Sequence, residues 1–473
     1  GYSRIKTLAD QLKKDAADKG IPTLFVDGGD FGEGSSFYFS NHGVDALRAL
    51  DLLGIDVTVL GNHDFILGGG ELAQQLEDSK LNAHMLSANL KGKALMGLRH
   101  KIKPFVDYEI DGHTIRIFGL TTPEIHYQYP LLYEGFISPS HNMGIRMAEK
   151  AQRDGVDLLI GLTHIGLQKD TILVSHSRTI DMIFGGHSHT RLDQPRMVEN
   201  LNGEIIPIFQ TGAHGMAMGS LILDVLGDGE YKLIDYRLYD VSPEILENTD
   251  VKKFVDEAYI NRERYFNRKW DEVIGFSEIP LTGLYKGLVR NPRSCWSRII
   301  ARITRTTAET DLSLQFDIFQ GEEIPAGPIR FGDLVDNFPH FRRWGDRGWN
   351  IHRAKISGLL LKQILKTLSS GDVPFDATID GVETWDMEKN RLVPYITGGV
   401  HLPENALVRG EKVENWKFYT IALPSEIPYA IGRMSLPIRE LLLMQSEEVP
   451  NSAYWDLMED YLAKNSPVKC IED

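Results

Sequence analysis

The sequence predicts a layered α/β fold with a second, mixed α/β domain attached by a long helix, and three observations predict it. Short apolar runs alternate with amphipathic stretches through the first half of the chain. Polar residues gather at the carboxyl ends of those runs, the edge where open α/β sheets form ligand sites. Near the middle, a charged helical stretch is polar over much of its surface, as a helix bridging two domains would be. The length of 473 residues agrees, being too great for one ordinary core.

Taken in order, SRIKTLADQLKKDAAD opens the chain as a helix. TLFVDGGD reads as a strand ending in the carboxylate of Asp30. HGVDALRALDLLGI is a helix, and DVTVLGNHD is a β-branched strand whose polar end carries Asn62, His63 and Asp64. HTIRIFGLTTPE, VDLLIGLTHIG, IDMIFGGHSHT and IIPIFQTGAHG repeat the theme, with NMGIRMAEKAQRDG as a helix among them. His164, His187 and His189 thereby also follow apolar strands. SLILDVLGDGEYKLIDYRLYDV is a β-hairpin turning at GDG. The expected organisation is a first domain over residues 1–241, a linker helix over 242–275 and a second domain over 276–473. That second domain has its own helices, SCWSRIIARITRTTA and ISGLLLKQILKTL, and its own strand, WKFYTIAL.

Composition narrows the function. A hydrophobic content of 42% with 25% charged residues describes an ordinary globular protein, with no apolar run of the ~20 residues a membrane span needs. The net charge of -15 argues against a general nucleic-acid or anionic-membrane binder, but not against a small phosphorylated substrate. Two cysteines, Cys295 and Cys470, provide neither a disulfide framework nor a thiolate metal site. The chain opens on Gly1 rather than Met, and the expectation is that it starts inside a longer protein.

A single histidine at a strand end is usually a hydrogen-bonded core residue. One Asp, one Asn and three His at successive strand ends supply oxygen and imidazole ligands without sulfur, a set suited to Zn²⁺, Mn²⁺, Fe or Co. Asp30 can bridge two such ions, and paired ions clamp both the attacking and the leaving oxygen of a phosphoester. GGHSH spaces His187 and His189 two apart, so on an extended segment both rings would face one side.

GGDFGEGS, GNHDF, GLTHIG and GGHSHT, in this order and spacing, resemble the metallophosphoesterases of the 5'-nucleotidase and UDP-sugar hydrolase type. The resemblance implies a four-layer catalytic domain and a 5'-nucleotidase-like second domain that confers specificity and closes by rotation. It also implies two divalent metal ions, a small phosphorylated substrate and a periplasmic, cell-surface or secreted location. Asp30 would bridge both metals, Asn62, His164 and His187 would complete one, and His189 would bind the other. His63 would face the phosphoryl group, stabilising its charge or protonating the departing oxygen, while water activated by the cations attacks.

The sequence departs from that pattern in three places. An Asp-x-His motif that supplies two ligands to the His189 metal is expected before Gly1 and is absent from these residues. The Asp that orients the catalytic histidine is replaced by Ile66, leaving Asp64 as the nearest substitute partner for His63, or as a structural anchor. In the second domain LSLQFDIFQGEEIPAGPIRFGDL replaces an Asn-Gly-Gly-Ile-Arg block. Phe316 and Phe319 read there as apolar strand residues, and Tyr429 is the nearest aromatic to the second half of a base-stacking clamp. Arg342, Arg343 and Arg347 in FRRWGDRGW are candidate phosphate or sulfate contacts, opposed by Glu322 and Glu323. Nucleotides or related small phosphoesters are the leading substrates. A nucleotide-sugar or cyclic-nucleotide phosphodiesterase, a sulfur-ester hydrolase and a catalytically silent surface binding protein stand as alternatives. The sequence carries no reading of oligomeric state.

Overall fold

A computed structural model describes the chain except residues 93–96, 99, 124–134, 228, 282–284, 287–288, 291–294, 317–319, 370–376, 383–384, 387–390, 393–405, 426–445 and 470–473. Tyr429, Phe319 and Cys470 lie outside the described residues. The chain forms two compact units, one of Gly1–Glu33 with Phe37–Tyr265, the other of Phe266–Asp473 with Gly34–Ser36.

In the first unit, the β-branched and apolar runs of the sequence build two sheets. A four-stranded parallel sheet is ordered Val26–Asp27, Val57–Val59, His84–Leu86, Ile102–Lys103. A six-stranded sheet is ordered Arg196–Glu199, Ile205–Phe209, Met182–Gly185, Leu158–His164, His113–Thr121, Phe105–Ile110. Its four central strands are parallel and its two edge strands antiparallel.

The period of two along a strand explains why Leu158–His164 is buried throughout. Leu158, Ile160 and Leu162 join Val57, Val59 and Leu86 of the other sheet in one apolar cluster. Leu159, facing the other way, joins Met143, Ala148, Leu173 and Val174 from the helices Ser140–Asp154 and Leu167–Ser175. The sheets and their covering helices form the expected layers. The GDG hairpin pairs Ala217–Gly227 with Glu230–Asp240.

The charged stretch 242–275 is helical over Thr249–Phe266 only, and this helix belongs to the first unit up to Tyr265. The reason is an aromatic face that the polar average hides: Phe254 and Tyr259 both meet Phe37 edge-on.

The second unit has a five-stranded sheet ordered Ala377–Asp380, Leu312–Phe316, Phe418–Pro424, Ile351–Ser357, Ser446–Glu448. Leu361, Ile364 and Leu365 of the helix Gly358–Ser369 pack with Leu314, Ile356 and Ile421 of the sheet as its core. Cys295 is buried. Among the described residues, no helix is long and apolar enough to cross a membrane.

Candidate active site

Four strand ends of the first unit supply the polar side chains, and buried carboxylates fix the loops that carry them. Asp27 closes its own loop by accepting from the Gly29 amide at 3.0 Å and from Thr58 Oγ1 at 2.7 Å. Asp64 accepts from the amides of Gly61 at 2.7 Å, Gly32 at 2.9 Å and Asp30 at 3.3 Å. It thus joins the loop bearing Asp30 to the loop bearing Asn62 and His63. Between the same loops, the His63 amide donates to Asp30 Oδ1 at 2.9 Å. Gly61 is required at this crossing, because a Cβ there would lie 2.0 Å from Asp30 Oδ1.

These bonds correct the assignment of Asp64 as a catalytic partner of His63. Its carboxylate is turned onto backbone amides, the anchoring task, and another residue meets the imidazole. That residue is Glu33, whose Oε2 lies 2.7 Å from His63 Nδ1. Sequence reasoning missed it, although it stands in the GGDFGEGS segment.

His164 ends its strand, and its Nδ1 lies 2.6 Å from the Gly28 carbonyl oxygen. A carbonyl only accepts, so Nδ1 carries the proton and Nε2 is left with its lone pair in the neutral ring. That Nε2 sits 2.9 Å from Asp30 Oδ2. A lone pair facing a carboxylate needs a proton or a cation to reconcile the two. Donor atoms bound to one ion at ~2.0–2.1 Å stand about 3 Å apart, the spacing found here. Asn62 Oδ1 and His164 Nε2 are both buried, and among the described residues neither has a hydrogen-bond partner apart from the contact of Nε2 with Asp30. Buried acceptors beside a carboxylate fit a divalent cation. Among the described residues, no three His, Cys, Asp or Glu side chains already close on one point.

His187 and His189 do not lie on an extended segment. Their φ angles are 75° and 53°, in the left-handed region, so the alternation expected of GGHSH does not apply. The His187 ring stands 5.2 Å from that of His164, whereas the exposed His189 stands 5.5 Å from His214, which the sequence reading passed over. Gln210 holds this loop: its Oε1 accepts from Ser188 Oγ at 2.9 Å and the Thr190 amide at 2.6 Å, and its Nε2 donates to the Gly186 carbonyl at 3.1 Å. Nothing in the sequence marks Gln210, a single amide at another strand end.

The electrostatics follow from packing. Burial disfavours the Asp30 carboxylate, yet His164 and His63 outweigh it and hold the group well below the usual range. Burial likewise opposes the charged form of His63, but Asp30 and Glu33 raise it to about 9. His164 is raised by Asp30 against the same penalty. Burial and the nearby Asp30 push Asp64 up, and burial with the neighbouring His214 lowers His189.

In the second unit, Arg342 and Arg343 are exposed. Arg347 is engaged internally: Nε meets Asp456 Oδ1 at 2.9 Å, Nη2 meets Glu459 Oε2 at 3.2 Å, and the guanidinium covers Phe331. These partners correct its assignment as a phosphate contact.

Residues 1–191 match the calcineurin-like phosphoesterase family. The chain is 25% identical over 376 residues to the 5'-nucleotidase of Vibrio cholerae, covering 71% of this chain and 67% of that protein. It is 22% identical over 382 residues to a trifunctional nucleotide phosphoesterase of Bacillus subtilis, covering 72% of this chain and 25% of that protein. The matches thus span a quarter to about two thirds of the length of the first curated relatives. Among solved structures, the 5'-nucleotidase precursor of Thermus thermophilus shares the fold, with a TM-score of 0.80 at 21% identity, over 100% of this chain and 92% of that one.

Proposed function

We propose that the chain, whose residues 1–191 match the calcineurin-like phosphoesterase family, is a divalent-metal-dependent hydrolase of small phosphoesters, with nucleotides or related compounds as substrates. The observation that carries the reading is the buried grouping of Asn62 Oδ1, which has no hydrogen-bond partner among the described residues, with His164 Nε2 facing the Asp30 carboxylate at 2.9 Å. In this reading Asp30, Asn62, His164 and His187 hold one cation, and Asp30 with His189 contributes to a second. The oxygen and imidazole donors, with no thiolate among them, support Zn, Mn, Fe or Co. Bound cations polarise phosphoryl oxygens and make water nucleophilic near neutral pH.

The chain's own residues do the rest. His164 is locked in one tautomer by Gly28, so Nε2 is presented without rotation. Asp64 holds the Asp30 and Asn62 loops at fixed separation. With Nδ1 of His63 engaged by Glu33, Nε2 is the nitrogen that would donate toward the phosphoryl group or the departing oxygen. The relatives described as 5'-nucleotidases support a nucleotide substrate. A periplasmic, cell-surface or secreted location belongs to the same proposal.

The test is a hydrolysis screen with added Mn²⁺ or Zn²⁺, spanning nucleoside mono-, di- and triphosphates, nucleotide-sugars and simple phosphomonoesters. Metal-dependent phosphate release from at least one class is expected. No release from any of them, with metal bound, would overturn the reading.

A further inference from the structure

Glu33 occupies a costly place. Its carboxylate is almost completely enclosed, with a side-chain exposure of 1%, while the His63 ring it meets is 32% exposed. Glu33 also has a φ of 58°, in a left-handed region that non-glycine residues rarely adopt. A buried charge on a strained backbone persists where the surroundings over-determine it, and such features cluster at functional sites. The segment is anchored on both sides of the contact. Asp64 grips the amides of Asp30 and Gly32 before Glu33, and it follows His63 directly in sequence. The two partners of the 2.7 Å contact are therefore carried by loops that the same carboxylate ties together. Position 66, where the family resemblance implies an orienting carboxylate, is Ile66, and its amide turns back onto the His63 carbonyl at 3.2 Å.

We propose that Glu33 is the positioning residue of His63: it accepts from Nδ1–H and holds the ring orientation, so that Nε2 faces the reacting phosphoester. The proposal rests on the hydrolase reading above. The carboxylate does not touch substrate; it acts through the imidazole, much as a buried acid orients the base of a catalytic triad. It places at position 33 a task that the family resemblance implies for position 66.

The test compares the full chain with Glu33→Gln, His63→Ala and the double variant, each with metal content measured. Glu33→Gln is expected to retain metal and KM but to lose roughly 10²-fold in kcat. The loss should be larger for an alkyl phosphate, whose leaving oxygen needs a proton, than for a nitrophenyl phosphate. In the His63→Ala background the same change should cost little more, since its effect runs through the ring. The ¹⁵N signals of the His63 imidazole, identified by their disappearance in His63→Ala, should move in Glu33→Gln. Unchanged kcat, a full additional loss in the double variant, or unmoved ring signals would overturn the proposal. Should the wild-type chain hydrolyse nothing, the hydrolase reading falls, while the ring signals still decide whether Glu33 holds His63.

Discussion

Replacing Asp64 by Ala tests whether a buried anchor, rather than a catalytic acid, sits next to His63. The side chain is 2% exposed and accepts from Gly61 at 2.7 Å and Gly32 at 2.9 Å, with a longer contact to the Asp30 amide at 3.3 Å. Alanine leaves two well-bonded amides without a partner, each costing ~1–3 kcal/mol when buried, or about 2–6 kcal/mol together. Removing the carboxylate also removes the cost of burying it, the same cost that pushes its carboxyl up. The net loss should be about 2–4 kcal/mol, concentrated in the loops at Gly28–Glu33 and Leu60–Asp64. Urea unfolding of the metal-free chain measures the total, and hydrogen exchange of peptides covering the two loops locates it. Asp64→Asn keeps one acceptor but turns an amide donor toward a backbone amide, so an intermediate loss is expected. If Asp64→Ala unfolds within ~0.5 kcal/mol of wild type and both loops keep their protection, the anchoring argument is refuted.

Two further perturbations separate structural from functional charges. Asp181 is raised to about 7, chiefly by burial and despite the Leu159 amide bonded to its Oδ2. The folded state therefore holds this proton more tightly than the unfolded one, and stability falls as pH rises from about 4 to about 7. Asp181→Asn removes that slope, so the variant should gain on wild type by about 2–4 kcal/mol between those limits; parallel stability curves would contradict it. Arg347→Ala loses partly exposed ion pairs to Asp456 and Glu459 and its cover of Phe331, together about 1–2 kcal/mol. Thermal unfolding should register this while KM stays unchanged, and a raised KM with unaltered stability would restore the phosphate-contact reading.

Much of this architecture was legible because it depends on periodicity. Leu158 to Leu162 alternate between two apolar clusters, and the run reads as a buried strand. The candidate donors Asp30, Asn62, His164, His187 and His189 were singled out because each ends or follows such a strand. The supporting residues were not. Glu33 reaches His63 across thirty positions from a left-handed loop residue, and no local pattern encodes that reach. Gln210 likewise acts on residues some twenty positions away through its amide. The paired histidines of GGHSH were assigned an extended backbone by their spacing, yet both are left-handed, lying beyond the strand that ends at Gly185. Asp64 and Arg347 were identified as polar residues in suggestive company, and only their partners tell anchoring from chemistry.

The central claim is that Asp30 gathers divalent metal at this site, and metal content per chain tests it most directly. Wild-type and Asp30→Asn proteins are loaded with Mn²⁺ or Zn²⁺, dialysed and measured by elemental analysis. The account predicts that the variant loses at least one of the roughly two equivalents expected for a paired-ion site. Phosphoester hydrolysis should fall with it. Equal metal content in the two proteins, or none in either, would contradict it.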